Sequence, residues 1–268
     1  MERTKGEYNK AIQFYQNIIN AFNADLAYYE LLVTKLKPRS ILELGCGSGR
    51  LFPCYLDKVE EVVGIDISEE MIKKASEIGN DSKTKIRALL GEITNFSLEE
   101  KFDLVVISNS LLKHIKEGKD RQQILKNARN HLTESGVISI DHASFLYYEP
   151  RNTEWVRAEQ SVIAKWIPNK NNLLNGYEWK KTISGMDDIV DWRYIDQGDV
   201  KFFVSFSTYI YKIEDLISDL EAVGLKYRKI YSDYIDDKKE VGTKGNRFIA
   251  ILSPLSNTLN QAQNKLND

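Results

Sequence analysis

Long apolar runs are missing from this chain of 268 residues, and no stretch approaches the ~18 consecutive apolar residues of a membrane-spanning helix. Met1-Glu2-Arg3-Thr4-Lys5-Gly6 has no apolar segment behind it, so neither a targeting signal nor a membrane partner is expected, and a cytoplasmic setting is. Cysteine is scarce: Cys46 and Cys54 form neither a CxxC pair nor a ligand set, which argues against a disulfide framework and a metal site. An excess of either charge is also lacking, with 37 basic and 39 acidic residues and a net charge of −2. Such a balance gives no global attraction to nucleic acid or to an anionic membrane. There is no internal repeat. What remains, at 42% hydrophobic and 28% charged, is an ordinary soluble chain large enough for one α/β domain carrying an insertion.

Its organising stretch is Ile41-Leu42-Glu43-Leu44-Gly45-Cys46-Gly47-Ser48-Gly49-Arg50, an apolar strand running into three alternate glycines. Glycines there let backbone N–H groups approach a ligand closely, because no Cβ intervenes. Leu51, Phe52, Tyr55 and Leu56 then recur with helical spacing. A second strand, Val62-Val63-Gly64-Ile65-Asp66, ends in a carboxylate about 20 residues after the first glycine, the separation of one βαβ unit. A carboxylate at that tip can accept two hydrogen bonds from a ribose diol. The alternative is that Asp66 only caps the helix beginning near Glu69, although Ser68 already suits the N-cap.

A dinucleotide fingerprint wants Gly-x-Gly-x-x-Gly, and Arg50 occupies its third glycine position. With Glu43 before it and Asp66 after it, the loop resembles motifs I and II of the class I S-adenosylmethionine-dependent methyltransferases. That resemblance implies an α/β, Rossmann-like seven-stranded sheet and S-adenosylmethionine as cofactor. It also implies that Gly45, Gly47 and Gly49 wrap the methionine and ribose portion and that Asp66 binds the ribose hydroxyls. Gly91-Glu92-Ile93 falls where the family has an acid on the adenine amino group, with glutamate replacing the commoner aspartate. Ser108 and Asn109 follow a fourth strand, Phe102–Ser108, and would line the methionine end. Cys46, Arg50, Ile67 and Met71 complete the expected cofactor set.

Residues 8–36 read as two helices, with Ile12, Tyr15, Ile18, Ile19 and Phe22 on one face and Leu26, Tyr29, Leu32, Val33 and Leu36 on another. They resemble the N-terminal helical cover of small-molecule methyltransferases, in which a tyrosine such as Tyr15 faces the methyl donor. Further helices are expected at 71–78, around Ile124–Leu132 and at 216–223, and further strands at 86–90, 137–141, 225–231 and 247–253. Lys113, Lys116, Lys119, Arg121, Lys126 and Arg129 read as a solvated face.

Between 143 and 200 the α/β rhythm breaks, and all four tryptophans fall there: Trp155, Trp166, Trp179 and Trp192. Runs at 177–184, 189–195 and 200–211, separated by Gly185 and by Gln197-Gly198-Asp199, read as an antiparallel sheet. Such an insertion resembles the substrate cover of small-molecule methyltransferases; its aromatics equally suit a homodimer interface. The expected division is a helical cover at 1–39, cofactor-binding core at 40–142, inserted lid at 143–211, the rest of the core at 212–255 and a flexible tail at 256–268.

The resemblance implies methyl transfer to a nitrogen or oxygen of a small molecule. Asp187, Asp188 and Asp191 favour an amine, and no metal is needed. Where the nucleophile arrives protonated a base is required, and His114, His142 and Tyr15 are the candidates. Three other readings share the same loop: a nicotinamide oxidoreductase, a non-catalytic cofactor-binding subunit, and a methyltransferase acting on protein or RNA.

Overall fold

The computed structural model describes residues 25–79, 81–143, 154–158, 174–231 and 247–255. Tyr15, the first expected helix, the tail, Trp166 and the aromatics at 145–148 lie outside the described residues. The described residues divide into two compact units. The larger runs from Leu26 through the fifth strand and resumes at Tyr211, and the smaller holds the residues between.

The larger unit is a seven-stranded sheet. In sequence order its strands are β1 (Ser40–Leu44), β2 (Glu61–Asp66), β3 (Lys85–Leu90), β4 (Phe102–Ile107), β5 (Leu132–Ala143), β10 (Leu225–Tyr231) and β11 (Arg247–Pro254). They lie side by side as β10-β11-β5-β4-β1-β2-β3. The first five are parallel, and β11 runs antiparallel to both of its neighbours, β5 and β10. Apolar residues fill β1, β2 and β4 almost without alternation, as strands covered on both faces require. The chain leaves β1 for β2 on one side, and β4 lies on the other, so the strand order reverses between β1 and β4. Ligands bind parallel sheets in the crevice beyond the carboxyl ends of strands at such a reversal.

Helix α1 (Leu26–Leu36) buries Tyr28, Tyr29, Leu32 and Val33. A short helix, α2 (Phe52–Tyr55), follows the glycine loop and ends one residue before Leu56, the last position of the expected apolar spacing. Helix α3 (Glu69–Ala75) is capped by Ser68, whose hydroxyl accepts the Met71 N–H at 3.4 Å. Helix α4 (Gly118–Asn130) starts earlier than its apolar spacing predicts, and α5 (Ile213–Ala222) precedes β10. Leu132, expected on a helix, is instead the first residue of β5. Thr133 to Gly136 bulge between the pairs Phe102–Leu132 and Leu104–Val137, with Gly136 pressed to the Phe102 carbonyl.

One expectation is overturned. Arg121 lies in no solvated face: it is buried and pairs with buried Asp219 of α5 at 3.0 Å, while its second nitrogen donates to the carbonyls of Ile115 and Lys116. Lys113 is buried as well. The i, i+3, i+4, i+7 positions of α4, Arg121, Ile124, Leu125 and Ala128, form its inward face, and a charge stands at the first of them because Asp219 neutralises it.

The smaller unit carries an antiparallel sheet of β6 (Val156–Arg157), β7 (Tyr177–Ser184), β8 (Asp187–Asp196) and β9 (Asp199–Tyr209), in that order. Its hairpins turn at Gly185 and at Gln197-Gly198, the last two both at positive φ, as a tight two-residue turn requires. Trp179 and Trp192 pair across β7 and β8 and pack with Ala158 and Leu174 on one face. Lys181 and Asp188 form a buried ion pair at 3.5 Å, where burial lowers the lysine's pKa and the aspartate resists that shift.

Candidate functional site

Beyond the carboxyl ends of β1 and β2 the chain makes its glycine turn. Gly45, Gly47 and Gly49 all have positive φ, at 69°, 55° and 76°, a region that other residues enter at a cost of ~1–2 kcal/mol. Their surroundings differ. A Cβ at Gly45 would stand 2.7 Å from the Leu111 side chain, and one at Gly49 would meet Phe52 and Ile78 at 2.8 Å. A Cβ at Gly47 would meet nothing within 4 Å. The outer glycines are therefore required by packing, whereas the middle one borders open volume.

Asp66 fixes the turn from the tip of β2. One carboxylate oxygen accepts the Gly47 N–H at 2.9 Å and the other accepts the Ser68 N–H at 2.9 Å. Because Ser68 supplies the helix cap, Asp66 does more than cap. Burial raises its pKa from the ordinary aspartate value, with the N–H bonds from Ser68, Gly47 and Ile67 opposing that rise. A carboxylate has about four acceptor sites, so these N–H bonds leave it with acceptor capacity to spare.

Beneath the turn Glu43 is buried in β1, and the Ser108 hydroxyl donates to its Oε1 at 3.5 Å. Burial and the nearby Glu43 charge raise the Tyr55 phenol well above its usual pKa, while Arg50 opposes the shift. Cys46 is buried with its thiol pushed up by desolvation and by the carboxylates of Glu43 and Asp66, so it fills space as an inert thiol. Met71 is buried, Ile67 and Glu92 are exposed, and Ile93 gives its carbonyl to Asn127 at 3.1 Å.

After β4 the chain takes two successive left-handed residues, Asn109 at φ 51° and Ser110 at φ 57°, before the 3₁₀ turn Leu111–His114. The Asn109 N–H donates to the Asp141 carboxylate at 2.7 Å, and the Tyr29 hydroxyl donates to the same oxygen at 3.0 Å. His114 is exposed on this turn. His142 is buried, and its Nε2 donates to the Tyr211 carbonyl at 2.6 Å with the two rings edge to face. That proton is committed to the backbone, so His142 ties the end of β5 to the chain entering α5. His131 is also taken up structurally, accepting the Leu98 N–H at 3.0 Å and stacking on Phe96.

The predicted Glu43, Gly45, Cys46, Gly47, Gly49 and Asp66 thus converge on one turn, with Ser108 joined through Glu43. Asp141 and Tyr29 escaped the sequence reading. Asp141 carried a usable signal, since it is a carboxylate at the tip of a parallel strand, as Asp66 is.

This architecture defines a Rossmann-like nucleoside-cofactor protein. Residues 41–136 match the family model described as "Methyltransferase domain". With the strand order, that match identifies residues 41–136 as a methyltransferase domain of the S-adenosylmethionine-dependent kind, whose cofactor is S-adenosylmethionine. The chain is 24% identical over 201 residues to "Putative methyltransferase YqeM" of Bacillus subtilis (strain 168), across 73% of this chain and 77% of that one. It is 25% identical over 113 residues to dTDP-4-amino-2,3,4,6-tetradeoxy-D-glucose N,N-dimethyltransferase of Saccharopolyspora spinosa, across 42% of this chain and 44% of that one. Its fold matches the crystal structure of an S-adenosylmethionine-dependent methyltransferase from Clostridium acetobutylicum ATCC 824, with a TM-score of 0.72 and 21% identity, over 92% of this chain and 98% of that one.

The residues present fit that cofactor. Open volume beside Gly47 admits the ligand where a side chain would intrude, and the anchored Asp66 carboxylate offers acceptors suited to a ribose diol.

Proposed function

We propose that this enzyme methylates the nitrogen of a small amine-bearing metabolite. Gly45, Gly47 and Gly49 cradle the donor, Asp66 takes the ribose hydroxyls, and Glu92 with Ile93 meets the adenine. Bound there, S-adenosylmethionine would supply a sulfonium-activated methyl for the acceptor nitrogen, with S-adenosylhomocysteine as the leaving group. The protein's own work is alignment and proton removal. A nitrogen lone pair is available only in the neutral amine, and His114 on the exposed turn after β4 is the proton acceptor we assign. His142 serves position rather than proton transfer, because its Nε2 proton is held by Tyr211.

The observation that carries the choice of a small acceptor is the inserted sheet β6–β9. Its apolar face holds Trp179, Trp192, Tyr177 and Tyr194 beside the buried Lys181–Asp188 pair. Trp179 and Trp192 are taken up in that sheet's own core, so the half-buried Tyr177 and Tyr194 are the rings left to meet a ligand, and phenol-tipped rings suit a compact, partly polar one. The amino-sugar substrate in the name of the Saccharopolyspora relative supports nitrogen over oxygen as the acceptor. The test is transfer of labelled methyl from S-adenosylmethionine to separate panels of amino sugars and other small amines, hydroxyl compounds, total RNA and protein. Label in an amine, with turnover at neutral pH lowered at least tenfold in His114→Ala, is the expected result. Label only in hydroxyl compounds, RNA or protein would overturn it.

A further inference from the structure

We propose that Asp141 is a positioning residue for the cofactor cradle, acting through the turn Asn109–Ser110 and Leu111. Two consecutive non-glycine residues in the left-handed region do not hold that conformation unaided, and serine is a poor occupant of it. Asp141 supplies the hold. It sits at the end of β5, next to β4 in the sheet, and its Oδ2 accepts the Asn109 N–H at 2.7 Å, a short, charge-assisted bond. Tyr29 donates to the same oxygen from α1 at 3.0 Å and fixes the carboxylate in turn. Both side chains are buried, Asp141 at 1% exposed and Tyr29 at 0%, while Asn109 itself is half-buried.

The turn matters because of where it delivers Leu111. That side chain lies so close over Gly45 that a Cβ on the glycine would come within 2.7 Å of it. The first glycine of the cradle is thereby pinned from the β4 side, as Asp66 pins the second from the β2 side. Without Asp141 the two left-handed residues relax, Leu111 withdraws, and Gly45 gains freedom that the cofactor must remove on binding. The chain therefore fixes its glycine turn with two strand-tip carboxylates, one acting directly and one through a loop.

This inference rests on the reading of the glycine turn as the cofactor cradle. The experiment compares wild type, Asp141→Ala, Asp141→Asn, Tyr29→Phe and Leu111→Ala by thermal unfolding and by calorimetric titration with S-adenosylhomocysteine. Asp141→Ala and Leu111→Ala should each weaken binding by about tenfold or more. Asp141→Asn, which can still accept the Asn109 N–H, should restore binding to within about threefold of wild type. Tyr29→Phe should lower the unfolding temperature yet bind within about threefold, because the Asn109 bond remains. A purely structural Asp141 would give folded Asp141→Ala of unchanged affinity, or a Tyr29→Phe as impaired in binding as Asp141→Ala, and either result overturns the proposal. If Asp141→Ala does not fold, Leu111→Ala decides, and wild-type affinity there overturns it too. Wild type that fails to bind S-adenosylhomocysteine would overturn the cradle reading itself, and this proposal with it.

Discussion

The Asp66 carboxylate accepts the backbone N–H of Gly47 at 2.9 Å, across 19 residues of chain. A side chain at the tip of one strand thus orients the peptide that borders the ligand volume beyond its neighbour. Asp66→Ala removes both the acceptors proposed for the ribose and the hydrogen bond that supports the glycine turn. Charge-assisted hydrogen bonds are worth ~1.5–3 kcal/mol each, so affinity for S-adenosylhomocysteine should fall by about tenfold to a hundredfold. Calorimetry on the folded variant measures this; unchanged affinity would remove Asp66 from the site.

Acid should weaken cofactor binding earlier than an ordinary aspartate would. Only the ionised carboxylate offers all its lone pairs, and desolvation raises the Asp66 pKa in the free protein. As pH falls through that raised value, affinity should decline with a limiting slope of about tenfold per pH unit. In the ligand-free protein the sign reverses. A raised carboxyl pKa contributes stability that is fully present below its unfolded-state value and is lost as pH rises through its folded-state value. Titrations from pH 7 downward should show the decline in wild type and a flat profile in Asp66→Ala.

Glycines 47 and 64 should separate binding from stability. A Cβ at Gly47 meets nothing, so Gly47→Ala carries only the backbone cost of a positive φ, about 1–2 kcal/mol, and places a methyl in the open volume proposed for the cofactor. At Gly64, inside β2, a Cβ would stand 2.7 Å from both Cys46 Sγ and Phe52 Cζ, an overpacking worth ~1–3 kcal/mol. Expected is a small loss of unfolding temperature with a large loss of cofactor affinity for Gly47→Ala, and the opposite balance for Gly64→Ala.

The sheet was legible because its central strands announce themselves. Val62–Asp66 and Phe102–Ile107 are apolar runs of strand length, and the glycine turn and Asp66 carry local chemistry at fixed spacing. Less legible was whatever depends on partners far along the chain. Arg121 reads as surface charge until Asp219, 98 residues later, comes to face it. The role of Asp141 depends on a turn whose left-handed residues are Asn109 and Ser110, not the glycines that normally mark such a conformation. The start of β5 was hidden by a bulge, since Glu134-Ser135-Gly136 has the composition of a loop yet lies within the strand.

The pair Arg121–Asp219 should dominate the stability of the α4–α5 packing. Both residues are 6% exposed, and Asp219 also accepts the Tyr211 hydroxyl at 2.6 Å while the guanidinium lies 4.3 Å from the Tyr211 ring centre. Burial and the Asp219 carboxylate raise the Tyr211 phenol far above its usual pKa, so it stays a donor at every working pH. Removing one charge strands the other, a loss of ~3–5 kcal/mol for Arg121→Met or Asp219→Leu alone. The double variant leaves no unpaired charge and should lose less than the sum of the two, a coupling that denaturant unfolding measures directly. Arg121→Lys should fall between wild type and Arg121→Met: an ammonium keeps the charge opposite Asp219, but without the planar fork it cannot also reach the carbonyls of Ile115 and Lys116 in the same geometry. Additive losses in the double variant would mean that the two side chains stabilise the helices independently, and the pairing seen at 3.0 Å would then contribute no net coupling.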